Sequence, residues 1–352
     1  MAKTRITIWH EMDPEEDYSY WHMDKICKEL EKENDVQIDL VFKEFVNFIK
    51  GIQNIHNIEE KPDIVLIPQD MVNMEYAEYS DIPEEISKYM EKDVFDSMKY
   101  KGVQKAIPFV QGNEGLLFYN KKYFSKKPES WEEICALDIE GVTPLAVDLE
   151  ERYWILPFLY TFSEGPMDEI NKAGEEKAVE FLRKNLESKK VISVSGMGDM
   201  QEKFLSGEVA AIINGEWKLP FLYEKMGEDL GVSMLPTIES KQMITTAATF
   251  GISFPLDSLN GEKKEFMHTF IKKMLSDQVQ EQWYKEFHRL PVKQTIIDAM
   301  VEAKDKSEMY EAYKQMKASV NLNNEECQGE YWLRCDRVME QCLGKKVSGL
   351  KN

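Results

Sequence analysis

The stretch Gln201 to Trp217, Q-E-K-F-L-S-G-E-V-A-A-I-I-N-G-E-W, compresses a helix end, a stop, a strand and a projecting aromatic into one short segment. Gly207 suits the residue after a helix, where a left-handed backbone costs a side chain without Cβ nothing. Val209 to Ile213 is too short and too apolar for a surface helix and predicts a buried strand. Asn214-Gly215 reads as a turn that lifts Trp217 out of the sheet at the strand's carboxyl end, where open α/β sheets bind ligands. A tryptophan that simply caps the core fits the same local pattern.

The same alternation runs through the first third of the chain. Ile6 to Trp9, Val36 to Phe42 and Asp63 to Ile67 predict strands, and Tyr20 to Glu33 predicts a helix with Trp21, Ile26 and Leu30 on its inner side. Strands alternating with helices imply a parallel, doubly wound sheet. Ser130 and Glu133 form a capping box that opens a helix over Trp131 to Cys135. Leu145 to Leu149 predicts a strand that delivers Glu150 to Trp154. A helix over Leu156 to Phe162 carries Pro157 in its first turn. Ser307 to Leu343 is helical in pattern, broken at Asn321 to Asn324 and restarted by Tyr331-Trp332-Leu333-Arg334 after Gly329.

A chain of 352 residues is long enough for two cores. Its 44 basic against 64 acidic side chains, a net charge of −20, argue against nucleic acid and against an anionic membrane surface. No apolar run approaches the roughly 20 residues that span a bilayer. Cys27, Cys135, Cys327, Cys335 and Cys342 are an odd count for a disulfide framework. The last three are spaced as neighbouring turns of one helix, and all five read as free thiols. Met1-Ala2-Lys3-Thr4 leads straight into a strand with no signal peptide or lipobox cysteine in view. Compartment therefore stays open between an exported protein whose leader has been removed and a cytoplasmic one.

Five segments in one order carry a resemblance. They are R-I-T-I-W at Arg5 to Trp9, K-P-D-I-V-L-I at Lys61 to Ile67, and A-I-P-F-V-Q-G-N-E-G-L-L-F-Y-N-K-K at Ala106 to Lys122. P-E-S-W-E-E-I at Pro128 to Ile134 follows, and then the Gln201 to Trp217 stretch with G-V-S-M-L-P at Gly231 to Pro236. Together they resemble the carbohydrate-type extracellular solute-binding proteins, the broad family of maltose-binding protein. The resemblance implies an α/β, two-lobed, periplasmic-binding-protein-like fold. Each lobe would be a mixed or mostly parallel sheet flanked by helices, with a ligand cleft between the lobes. Chain crossings near Val110, Phe250 and Lys304 would build one lobe from residues 1–110 and 250–304 and the other from 111–249 and 305–352.

The resemblance also implies a function: the substrate-capture component of an ABC importer, a monomeric lipoprotein or periplasmic protein that closes about a hinge. Its partners would be a small ligand of carbohydrate type and a membrane permease. Sugar recognition needs flat aromatic faces for C–H-rich ring faces, with carboxylates, amides or guanidinium groups for the hydroxyls. Glu151, Arg152, Tyr153 and Trp154 fall where the family carries an acidic–aromatic segment, and Trp217 and Trp332 match its stacking tryptophans. Glu11 and Asp13 follow the first strand, Gln69 and Asp70 the third, and Asn113 and Glu114 lie at the first crossing. Three positions depart from the family. Ile67 stands where maltose binders carry an aromatic, Arg152 replaces a proline, and Asp336 takes the place of an arginine on the last helix, with Arg334 two residues earlier. Arg152 suits either an acidic ligand or an ordinary salt bridge with Glu150 or Glu151.

Other chemistry finds little support. His10, Glu11, Asp13 and His22 lack metal-ligand spacing, so neither a metal nor a cofactor is expected. Adjacent glutamates such as Glu150 and Glu151 cannot flank a glycosidic bond together. No nucleophile elbow or phosphate loop occurs, and Gly196-Met197-Gly198 falls short of a dinucleotide fingerprint. The chain is therefore read as a binder. A sensor or partner-binding module, even an intracellular one, is the first alternative, and a hydrolase on the same fold the second.

Overall fold

The most apolar strands set the architecture. A computed structural model of the protein describes residues 3–15, 17–73, 78–163, 170–303, 307–321 and 328–344. It is mixed α/β, and contacts divide it into two compact units, residues 1–112 with 248–305 and residues 113–247 with 306–352. Lys304 and Cys327 lie outside the described residues.

In the first unit the sheet order is Leu290–Pro291, Ile107–Gly112, Thr246–Ser253, Ile64–Pro68, Thr4–His10, Val36–Phe42. The central strands Ile64–Pro68 and Ile107–Gly112 are buried at every residue, as strands covered on both faces must be. Thr4–His10 pairs in parallel with both Val36–Phe42 and Ile64–Pro68, so their carboxyl ends lie along one edge. Thr246–Ser253 runs antiparallel to Ile64–Pro68 and Ile107–Gly112, and the sheet is mixed. The helix Tyr18–Glu33 is capped by Asp17, whose side chain accepts from the Ser19 amide. Its inner face is His22, Met23, Ile26, Cys27 and Leu30. Trp21, expected inside, is 54% exposed. The buried, neutral His22 holds the inner place of an apolar side chain and turns its neighbour Trp21 outward.

In the second unit the order is Leu230–Ser233, Gly115–Asn120, Val209–Gly215, Thr143–Val147, Val191–Ser193. Helix Met197–Ser206 stops at Gly207, left-handed at φ 84°. The Tyr123 hydroxyl donates to the Gly207 carbonyl at 2.9 Å and lies 2.7 Å from where a Cβ would stand, so both backbone and space demand glycine. The helix expected from Leu156 begins earlier, at Arg152, and runs to Phe162. Pro157 therefore sits in its interior and not in its first turn, with no N–H to give the helix. Trp154 to Phe162 are all buried, because this helix packs against both Lys172–Glu187 and Gln328–Leu343. Ser130 accepts from the Glu133 amide at 3.1 Å, while the Glu133 carboxylate reaches back to the Glu129 amide at 2.8 Å. Among the described residues Cys27, Cys135, Cys335 and Cys342 are free thiols, and no helix is long and apolar enough to cross a membrane.

Candidate functional site

In the second unit Thr143–Val147 and Val209–Gly215 pair in parallel, with Ala146 opposite Ile212. Whatever follows these two strands meets at one edge of the sheet. After the first strand, the buried Asp148 accepts from the amides of Glu150 and Gly196, both at 3.0 Å, and ties the turn. Burial raises its carboxyl pKa despite those two donors. Glu151 then caps the helix by position only; its side chain is exposed and makes no capping bond.

Tyr153, Trp154 and Trp217 come together in a ring cluster. Tyr153 and Trp154 meet edge to face at 5.0 Å, Trp217 lies 6.0 Å from Trp154, and Tyr153 lies 6.2 Å from Trp217. Trp154 is only 2% exposed and belongs to the core. It supports the other rings and does not present a face of its own. Tyr153 and Trp217 are half-buried.

Asn214-Gly215 makes no turn. The strand continues through Gly215, and a short 3-10 turn, Glu216–Lys218, carries Trp217. The indole folds back over the Gly215 α-carbon, where an added Cβ would fall 2.2 Å from the ring. The glycine is a seat for the ring, and any side chain would push the ring away.

Asn113 and Glu114 are hydrogen-bonded to Tyr153 and Glu216. The Tyr153 hydroxyl donates to the Asn113 carbonyl, and the Asn113 amide donates to the Glu216 carboxylate at 3.4 Å. Asn113 is left-handed at φ 58°, a region asparagine tolerates. The Glu216 amide donates to the Glu114 carbonyl at 3.0 Å. Glu114 and Glu216 are fully buried and Lys218 nearly so.

Arg152 pairs with neither Glu150 nor Glu151. Its Nε and Nη2 donate to the two carboxylate oxygens of Asp336 at 2.5 and 2.8 Å. Two of the three departures from the family, Arg152 and Asp336, are thus partners of each other. Trp332, one turn before Asp336 and half-buried, packs against the same core. Arg334 is engaged by Glu175 and Glu330.

The first unit treats its candidates differently. Gln69 is buried, and its amide oxygen accepts from the Thr249 amide at 3.0 Å, tying the turn after Ile64–Pro68 to the strand Thr246–Ser253. Asp13 is exposed and accepts from the Glu15 amide at 2.8 Å, closing a local turn. Glu11 is half-buried at the strand end. Asp70 lies in the turn Gln69–Asn73, with its side chain outside the described residues. His10 and His22 are buried among aromatic rings, and burial pushes both down to a pKa of about 4. Among the described residues no group of His, Cys, Asp and Glu is placed to hold a metal ion.

Sequence reasoning missed Gly215 as a ring seat, Asp336 as the partner of Arg152, and the buried Glu216 and Lys218. Residues 25–318 match the family described as bacterial extracellular solute-binding protein. The chain is also similar to maltodextrin-binding protein MdxE of Bacillus subtilis (strain 168), 23% identical over 242 residues. That alignment covers 62% of this chain and 58% of the relative.

Proposed function

Because the chain belongs to the bacterial extracellular solute-binding proteins, we propose that it captures a small carbohydrate for an ABC importer outside the cytoplasm. The observation that carries the sugar is the half-buried pair Tyr153 and Trp217, set on Trp154 and Gly215 at the carboxyl edge of the second unit's sheet. Similarity to a maltodextrin-binding protein supports the same class. With Arg152 engaged by Asp336, the ring cluster carries no cation from that side chain, which favours a neutral sugar over an acidic one. The role is binding without turnover, and a permease is the partner it implies.

Calorimetric titration with maltose through maltoheptaose tests this reading. Saturable binding without release of shorter sugars is expected, whereas heat-silent titrations across the series would overturn it. We propose in addition that closure occurs at the chain crossings, where the units change between Gly112 and Asn113 and between Ala247 and Ala248. A ligand that binds the closed form better shifts the population toward it. Small-angle scattering at saturation should then give a smaller radius of gyration, and an unchanged profile would remove closure from the account.

A further inference from the structure

Both segments that bring rings to the edge of the second unit's sheet also take hold of the residue where the chain enters that unit. Gly115–Asn120 runs antiparallel to Val209–Gly215 with Gly115 opposite Gly215, so the strand after the first crossing begins at the edge where the rings stand. The Trp217 ring lies on Gly215, and Trp154 comes to 3.6 Å from where a Cβ on Gly115 would stand. The Gly115 amide donates to the hydroxyl of the buried Thr245 at 3.4 Å, just ahead of the second crossing between Ala247 and Ala248.

Asn113 is the first residue of the unit after Gly112. At φ 58° it occupies a left-handed region that a residue other than glycine keeps only where its surroundings hold it there. Both of its main-chain groups are engaged, each by a ring-bearing segment. Its carbonyl accepts from the Tyr153 hydroxyl, in the first turn of Arg152–Phe162. Its amide donates to the carboxylate of Glu216, one residue before Trp217. A phenol has one proton to donate, and Tyr153 gives it to the main chain. Toward a ligand it offers its ring face and an oxygen that can only accept.

We propose that Tyr153 is a positioning residue that transmits occupancy of the rings to the first chain crossing. A ligand stacked on its face steadies the ring, the hydroxyl steadies the Asn113 peptide, and the dihedrals that closure must change are set from the binding edge. This rests on the carbohydrate and closure readings above and adds the route by which one acts on the other. Tyr153→Phe tests it, since it keeps the ring and removes the hydroxyl. Hydrogen exchange over residues 109–118 is followed in parent and variant, free and saturated with the malto-oligosaccharides, beside calorimetric affinities. Without ligand, this segment should exchange at least ~tenfold faster in the variant, with a melting temperature only slightly below that of the parent. With ligand, the parent should gain protection there. The variant should gain little, yet lose no more than ~fivefold in affinity, the size of one neutral hydrogen bond. Ligand-induced protection equal to the parent's would overturn transmission through Tyr153, and unchanged ligand-free exchange would overturn the hold on Asn113. If the parent binds none of the series, the carbohydrate reading fails and transmission falls with it, while the ligand-free comparison still decides the hold on Asn113.

Discussion

In the second unit the rings at the sheet's carboxyl edge rest on one another and on glycine, whereas in the first unit they stand half open around a buried imidazole. Trp217 packs on Gly215 and Trp154, and its chain neighbours Glu216 and Lys218 are buried. Trp21 and Phe42 have no such seat. Titratable chemistry divides the same way. All five histidines, His10, His22, His56, His268 and His288, fall in the first unit, and the second has none. The lesson is that the two units hold the rings at their sheets' carboxyl edges by different means, one by packing and one by exposure.

Acid should separate the halves most strongly. His10 and His22 have folded pKa values of about 4, below the ordinary 6.5, because burial disfavours the charged ring. Between those values the unfolded chain takes up protons that the folded unit refuses. Stability is therefore full above about pH 6.5 and falls progressively to about pH 4, by on the order of 3 kcal/mol for each histidine. The second unit's matching group is Glu175. Burial raises its pKa, but hydrogen bonds and ion pairs from Arg337 and Arg334 outweigh that and hold it below 4.5. Its contribution is intact above 4.5 and is lost only as pH falls through the folded value. Hydrogen exchange followed down this range should show the first unit opening well before the second. Simultaneous opening would break the comparison.

Trp154 comes next. As a core residue it should cost about 3–5 kcal/mol of folding stability on truncation to alanine. Calorimetry should show that loss in the transition of the second unit, while a parent-like melt would mean Trp154 is not the support argued here. Arg152→Leu strands the half-buried Asp336 and should cost about 2 kcal/mol. The double change Arg152→Leu with Asp336→Leu should recover most of it, since an apolar pair replaces an ion pair at little net cost. Failure of the double variant to recover would assign Asp336 a role beyond pairing.

Much of this molecule is written in local pattern. The mixed α/β class, the Gly207 stop and the buried strand after it follow from periodicity and backbone chemistry alone. Where reading failed, the cause was tertiary. Asn-Gly looks like a turn until a tryptophan two residues later claims the glycine's face. Trp21 looks inward until a histidine is counted as core. Arg152 seems to want its neighbours, because nothing in sequence reveals that residue 336 is opposite. For the candidate site, the sequence names the aromatic residues at the second unit's strand ends, but not that Trp154 is buried beneath the half-buried Tyr153 and Trp217. Gln69 and Glu114 show the limit: polar residues at strand ends serve the backbone and the buried layer as readily as a ligand.

The central claim is that Trp217 is the platform and Trp154 its support. Measuring ligand-free melting temperature and malto-oligosaccharide affinity on Trp217→Ala tests it most directly. An aromatic anchor contributes at least ~2 kcal/mol on truncation, so affinity should fall about thirtyfold while the melting temperature changes little beside that of Trp154→Ala. A large drop in melting temperature with affinity retained in the folded fraction would return Trp217 to the core and contradict the account.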